Sequence, residues 1–142
     1  MGLDNGIRLI MRQKIDPKED ILFNDFEKID FDEFATNEYK DGYYYDVCYW
    51  RKCWNIREMI FDVLDADRNS LSEKYEIDKP SQIQEISDRL YKMLQNGEDW
   101  ENSIWDFEDM ITPLAYDIVN LAALKRIMTK YTNVKVEFYD SY

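Results

Sequence analysis

The sequence predicts an α+β fold, a small, mostly antiparallel sheet packed against about three helices, and three observations carry that expectation. Strand-like segments rich in aromatic and β-branched residues stand near both ends and before the middle, and segments with helical spacing fill the interval between them. No internal repeat, glycine-rich phosphate loop or low-complexity linker interrupts this order. With 142 residues, 45% of them hydrophobic and 15% aromatic, the chain suits one domain spanning residues 1–142 with one sizeable core.

Gly6 to Lys14 mixes β-branched and basic residues and reads as a strand that Asp16-Pro17 breaks. Between residues 18 and 37, Ile21, Leu22, Phe23, Phe26, Ile29, Phe31 and Phe34 are scattered among acids with neither strand nor helix periodicity. This pattern predicts an irregular arm pinned to the core by its phenylalanines. Tyr43 to Tyr49 reads as a second strand, because consecutive tyrosines followed by Val47 suit a pleated, half-buried surface.

From Trp50 to about Leu64, the positions Cys53, Ile56 or Arg57, Ile60 and Leu64 repeat with helical spacing, flanked by Trp54, Phe61 and Val63. Asp65 to Ser72 ends this helix in a polar turn, and Glu73 to Ile77 forms a short strand closed by Asp78-Lys79-Pro80. Ser81 to about Gln95 is the clearest helix, with Ile83, Ile86, Leu90, Met93 and Leu94 on one face, Pro80 near its start and Gly97 after its end. A third helix uses Leu114, Ile118, Leu121, Ala122 and Met128 and ends near Tyr131. Thr112-Pro113 either starts it or kinks a helix begun near Phe107. Val134 to Tyr139 alternates with strand period and closes the fold.

The net charge of −12 is unevenly spread. Residues 16–46 carry eleven acids against three bases, and residues 98–109 carry six acids and no base. Coulomb repulsion opposes binding of bare nucleic acid or anionic membrane through such surfaces, whereas a basic partner is steered toward them. A solvated acidic surface that only aids solubility explains the same charge.

Histidine is absent, which removes Ser-His-Asp and Cys-His catalysis and imidazole zinc sites. Carboxylates, Lys, Tyr or a hard metal would have to carry any reaction, and no cofactor is expected. No segment approaches the roughly 18 to 20 apolar residues a membrane span needs, and Met1 to Gly6 lacks the charged-then-apolar order of a signal peptide. A cytoplasmic location is therefore expected, with Cys48 and Cys53 as reduced, buried thiols.

Met1-Gly2-Leu3-Asp4, Tyr49-Trp50-Arg51-Lys52 entering a helix, and the aromatic C-terminal segment Tyr139 to Tyr142 together resemble a group of small proteins encoded by bacteriophages, prophages and other mobile elements. The resemblance spans about 25 positions in three separated pieces, the Tyr-Trp-Arg-Lys start being its most specific part. Members of that group often continue with Ile-His and a Trp or Phe, whereas Ile56-Arg57 stands here. The resemblance thus implies a mobile-element setting and carries over no imidazole chemistry.

Three segments are candidate sites. Tyr44, Trp50, Arg51, Lys52 and Arg57 place aromatic and basic groups together, as an anion or nucleotide pocket requires, although tryptophans at helical spacing also suit a core. Asp65, Asp67, Asn69, Glu73 and Glu76 stand at positions 1, 3, 5, 9 and 12 of a calcium-loop window. Ser70 replaces its glycine and Pro80 interrupts its exit helix, so an acidic turn is the expected reading and no metal is assigned. Glu98, Asp99, Trp100, Glu101, Trp105, Glu108 and Asp109 interleave carboxylates with aromatics, a pattern that imitates spaced phosphates and anchors a protein interface.

The sequence therefore points to a small acidic protein acting by protein–protein interaction on a basic partner, of the kind that antagonises a host nucleic-acid-handling or defence protein. A small enzyme or ligand-binding domain with an anion pocket around Trp50 to Arg57 is the alternative, and a virion or scaffolding component a third.

Overall fold

Alternation along the strands decides which face of the sheet meets the helices. The computed structural model describes residues 3–12, 25–27, 36–39, 42–66, 74–102 and 104–141, with side chains left aside for 36–39 and 42. Its elements are β1 (Asp4–Met11), β2 (Thr36–Tyr39), β3 (Gly42–Arg51), α1 (Trp54–Leu64), β4 (Lys74–Glu76), α2 (Pro80–Gln95), α3 (Phe107–Lys130) and β5 (Lys135–Ser141), with a 3-10 turn at Gly97–Asp99. The strands form one sheet in the order β2-β3-β1-β5-β4, every neighbouring pair antiparallel. The expected α+β class is the observed one.

On β1 the odd-numbered Leu3, Asn5, Ile7 and Leu9 are buried. Their cross-strand partners, Trp50, Cys48 and Tyr45 on β3 and Asp140, Phe138 and Val136 on β5, share that face. The helices pack there. Phe61 of α1 stands edge-on to Phe138 and to Tyr75 of β4 at 5.8 and 5.3 Å, and buried Ile83, Ile86 and Leu90 of α2 join Leu114, Leu121, Leu124 and Ile127 of α3 in the same apolar cluster. Such edge-to-face rings add roughly 0.5–1.5 kcal/mol to their area burial.

The opposite face holds a stacked cation. Arg8 lies between the rings of Tyr44 and Tyr139, 4.2 and 3.9 Å from their centroids, and its Nε donates to Asp46 at 3.0 Å. Gly6 makes room for this arrangement, because a Cβ there would collide with the Tyr139 ring and the Cys48 carbonyl.

The expected elements are present, β2 is an additional strand at the end of the expected irregular arm, and one boundary needs correction. Trp50 does not start a helix: β3 runs on through Arg51, Lys52 takes the left-handed conformation (φ 55°), and α1 begins only at Trp54. The strand persists because Trp50 and Arg51 keep their ladder positions opposite Asn5 and Asp4 of β1, and just beyond it the Lys52 N–H donates to the Leu3 carbonyl at 2.7 Å. Trp50 is buried as a core residue, but Trp54 is 38% exposed. Of the two placements left open for Thr112-Pro113, the helix begun at Phe107 is the observed one, with Pro113 inside α3 at its seventh position. Of the irregular arm, Phe26 is buried against the core, and Ile21, Leu22, Phe23, Ile29, Phe31 and Phe34 lie outside the described residues.

Candidate functional site

A short strand beside a long one creates the most informative surface of the molecule. β2 pairs with β3 only as far as Thr36 opposite Tyr44, whereas β3 continues to Arg51. Among the described residues, no strand accompanies β3 beyond Tyr44 on that side. The ladder alternates, so Trp50 and Lys52 turn their backbone groups toward β1 while Tyr49 and Arg51 turn theirs to the open edge. One extra residue, Val47, sits in β3 between the pairs Ile7–Cys48 and Arg8–Asp46 and forms a bulge that also faces outward.

Side chains from α3 and the segment before it occupy the two ends of this edge. Asn120 Nδ2 donates to the Val47 carbonyl (3.3 Å) and the Glu27 carbonyl (3.1 Å), and its Oδ1 accepts from the Glu27 N–H (2.7 Å). At the other end Trp105 Nε1 donates to the Arg51 carbonyl at 2.7 Å. Between them lies a cleft of about 410 Å3, lined by Tyr49, Trp105 and Tyr116 and by Glu27, Asp46, Asp109 and Asp117, with Arg51 the base among its described lining residues.

Asp117 forms the floor. Its carboxylate accepts from Trp50 Nε1 at 2.8 Å and from the Cys48 thiol, and no guanidinium or ammonium opposes it among the described contacts. Burial pushes its pKa up to about 7 despite those two donors. Burial likewise raises the Cys48 thiol, helped by Asp117, and lifts Cys53 to about 11. Both cysteines are buried and unbridged, and neither has the thiolate character a nucleophile needs.

The acidic segment before α3 is built to stand out. Asn102 Oδ1 accepts from the N–H groups of Ile104 and Trp105 (both 2.9 Å), forming a tight turn, while Asn102 Nδ2 donates to the Lys52 carbonyl at 3.2 Å. Trp100 Nε1 donates to the Trp105 carbonyl (2.8 Å), and the Trp100 ring packs against Phe107. With both indoles turned inward, Glu98, Asp99, Glu101, Glu108 and Asp109 are all exposed, and Ile104 (51%) and Ile111 (42%) are exposed beside them. Of the seven residues singled out in this segment, the five acids are exposed and Trp100 and Trp105 are half-buried.

The other two sets do not assemble as pockets. Trp50 and Arg51 line the cleft, but Tyr44 lies on the opposite sheet face against Arg8, and Lys52 occupies the left-handed turn. Arg57 points to β5, where its Nε and Nη2 grip Asp140 at 2.9 and 3.0 Å. Exposed Glu27 and Asp109 outnumber Arg51 among the described lining residues, so an anion would meet repulsion there. Asp65 is the left-handed C-cap of α1 and Glu76 is exposed on β4, while Asp67, Asn69 and Glu73 lie outside the described residues. No cluster of three metal-ligating side chains forms among the described residues, nor is any of their helices long and apolar enough to cross a membrane.

Sequence reasoning missed Asp117, Asn120, Glu27 and Tyr116. A polar pair at 117 and 120 on the apolar stripe of the third helix was the available signal, since buried polar groups on a helix face need partners. Compared with protein-family models, with curated proteins and with solved structures, the chain matches none.

Proposed function

We propose that this protein acts by protein–protein interaction, docking a basic partner through the acidic surface that precedes and opens α3. The observation that supports the reading is the arrangement of residues 98–109. Six acids and no base are held on a turn whose tryptophans point inward, so the carboxylates face solvent and exposed Ile104 and Ile111 supply apolar contact beside them. Spaced exposed carboxylates match the charge pattern of a phosphate backbone, and a groove that binds nucleic acid is the basic surface they fit. The partner class is accordingly a nucleic-acid-handling protein, and in a mobile-element setting it would be a host or defence protein.

The test compares the native protein with a variant carrying Glu98→Gln, Asp99→Asn, Glu101→Gln, Glu108→Gln and Asp109→Asn as bait in a lysate. The native bait retains a basic protein at 0.1 M salt and releases it toward 1 M, where the Debye length falls from about 10 to about 3 Å. Duplex DNA competes with the bait for that protein, and the neutralised variant, folded by circular dichroism, fails to retain it. Retention that is insensitive to salt, or equal by both baits, overturns the reading.

A further inference from the structure

The open edge of β3 and the cleft beside it are two views of one feature. Gly42 and Tyr44 pair with β2; the bulge at Val47 then resets the alternation, so that the Val47 carbonyl and the backbone groups of Tyr49 and Arg51 turn to a side where no strand follows among the described residues. Asn120 and Trp105 satisfy the Val47 and Arg51 carbonyls. The N–H and C=O of Tyr49 lie between these caps and face the cleft. An unpaired edge of this kind is a template for another strand, and long exposed edges are ordinarily blunted by charge, proline or a covering element.

We propose that the β3 edge from Val47 to Arg51 receives an extended, basic segment of a partner protein as an added strand, with one arginine or lysine side chain seated in the cleft against α3. The inference rests on the protein–protein reading above and assigns the geometry of the partner's docking segment. Main-chain bonds to Tyr49 supply sequence-independent affinity, and the cleft supplies selection of the side chain.

Charge selects the occupant. Exposed Glu27 and Asp109 line the cleft together with Asp117, and Arg51 is the base among its described lining residues, while Asp46 at its rim is paired with Arg8. Trp105 and Tyr116 offer rings along which the alkyl stem and cationic head of arginine or lysine can lie. A volume of about 410 Å3 sits at the low end of small-ligand pockets, enough for one long side chain with its neighbouring backbone. Asp109 and Trp105 belong both to this cleft and to the acidic surface of residues 98–109, so one partner can engage both without a gap.

The experiment uses a fluorescein-labelled nine-residue peptide alternating arginine and valine, its counterpart N-methylated at alternate residues, and a glutamate-for-arginine counterpart, titrated by fluorescence anisotropy. The arginine peptide binds. The N-methylated peptide, with unchanged charge and fewer main-chain donors, binds at least about tenfold more weakly, and the glutamate peptide does not bind. Tyr49→Pro, which removes an N–H outside the β1 ladder, lowers affinity similarly while circular dichroism stays native. Hydrogen exchange of the Tyr49 amide in the native protein, which needs no variant, slows on adding the arginine peptide. Equal affinity for the N-methylated peptide, absence of binding, or a Tyr49 amide already protected in the free protein overturns the proposal.

The two readings fail separately. Peptide binding that survives neutralisation of Glu98, Asp99, Glu101 and Glu108, together with unchanged capture of the lysate partner, overturns only the surface reading. Loss of peptide binding with salt-sensitive capture intact overturns only the added strand.

Discussion

Two buried aspartates lie on the same face of the sheet and are treated in opposite ways. Asp140 on β5 is matched by a cation: Arg57 grips both its oxygens and Asn5 Nδ2 donates to Oδ1 at 2.5 Å. Asp117 on α3 is matched, among the described residues, by neutral donors, an indole and a thiol, and keeps its proton to about pH 7. The first lies at the seam between β1 and β5, closed by α1 beneath and by the Tyr139–Arg8 stack above. The second lies at the end of β3 that no described strand pairs, beside a cleft. A closed seam affords an ion pair its full set of partners, whereas an open edge leaves polar groups to be satisfied by whatever helix or ligand approaches.

Breaking the Asp140 site is the most damaging change. Arg57→Met removes the guanidinium, which also lies over the Phe61 ring, and strands a carboxylate that is 7% exposed; loss of one partner from such a pair costs about 3–5 kcal/mol. Urea denaturation at pH 7 measures it. A loss below about 1 kcal/mol would show that water reaches Asp140 and that the seam is not closed.

The Asp117 site is expected to behave in the opposite sense. Its folded pKa of about 7 stands above the ordinary 3.8, so the bound proton favours the folded state. That contribution is complete below about pH 4 and is lost as pH rises through 7. At about 1.4 kcal/mol per pKa unit, the loss is at most on the order of 4 kcal/mol. Asp117→Asn keeps an acceptor for Trp50 and removes the titration, so its stability relative to the native protein improves steadily from pH 4 to pH 8. A constant difference across that window would assign the proton elsewhere.

What the sequence made legible follows from this contrast. Strand alternation in β5, the helical stripe of α2 and the acid block at 98–109 are local patterns, and each stands where its pattern put it. The end of β3 was misjudged because Trp50 to Leu64 is helical in spacing, while the strand is prolonged by pairing with a segment some 45 residues earlier. Arg57 looked available for a ligand because Asp140, 83 residues away, is invisible to any local window. The cleft was illegible for the same reason: its walls come from residues 27, 46–53 and 105–120.

Gly6→Ala tests the seam from its other face. The new methyl group meets the Tyr139 ring and the Cys48 backbone carbonyl, and only the ring can move. Overpacking of this kind costs about 1–3 kcal/mol, and displacing Tyr139 also unstacks Arg8, so its ring resonances shift in NMR spectra. Unchanged stability with unchanged Tyr139 resonances would mean that the strands part more easily than the ladder implies.

At the open edge the corresponding change is expected to be small. Trp105→Phe keeps an aromatic wall and removes only the indole N–H from the Arg51 carbonyl. That carbonyl also accepts from the Cys53 thiol at 3.4 Å, and Trp105 is only half-buried, so water can take the place of the lost donor. The expected loss is about 0.5–1.5 kcal/mol, the net worth of an ordinary hydrogen bond. Chemical denaturation measures that loss, and amide exchange of residues 49 to 51 shows whether the edge frays first. A loss as large as that of Arg57→Met would make Trp105 a keystone of the fold, and the two ends of the sheet would then differ in chemistry but not in rigidity.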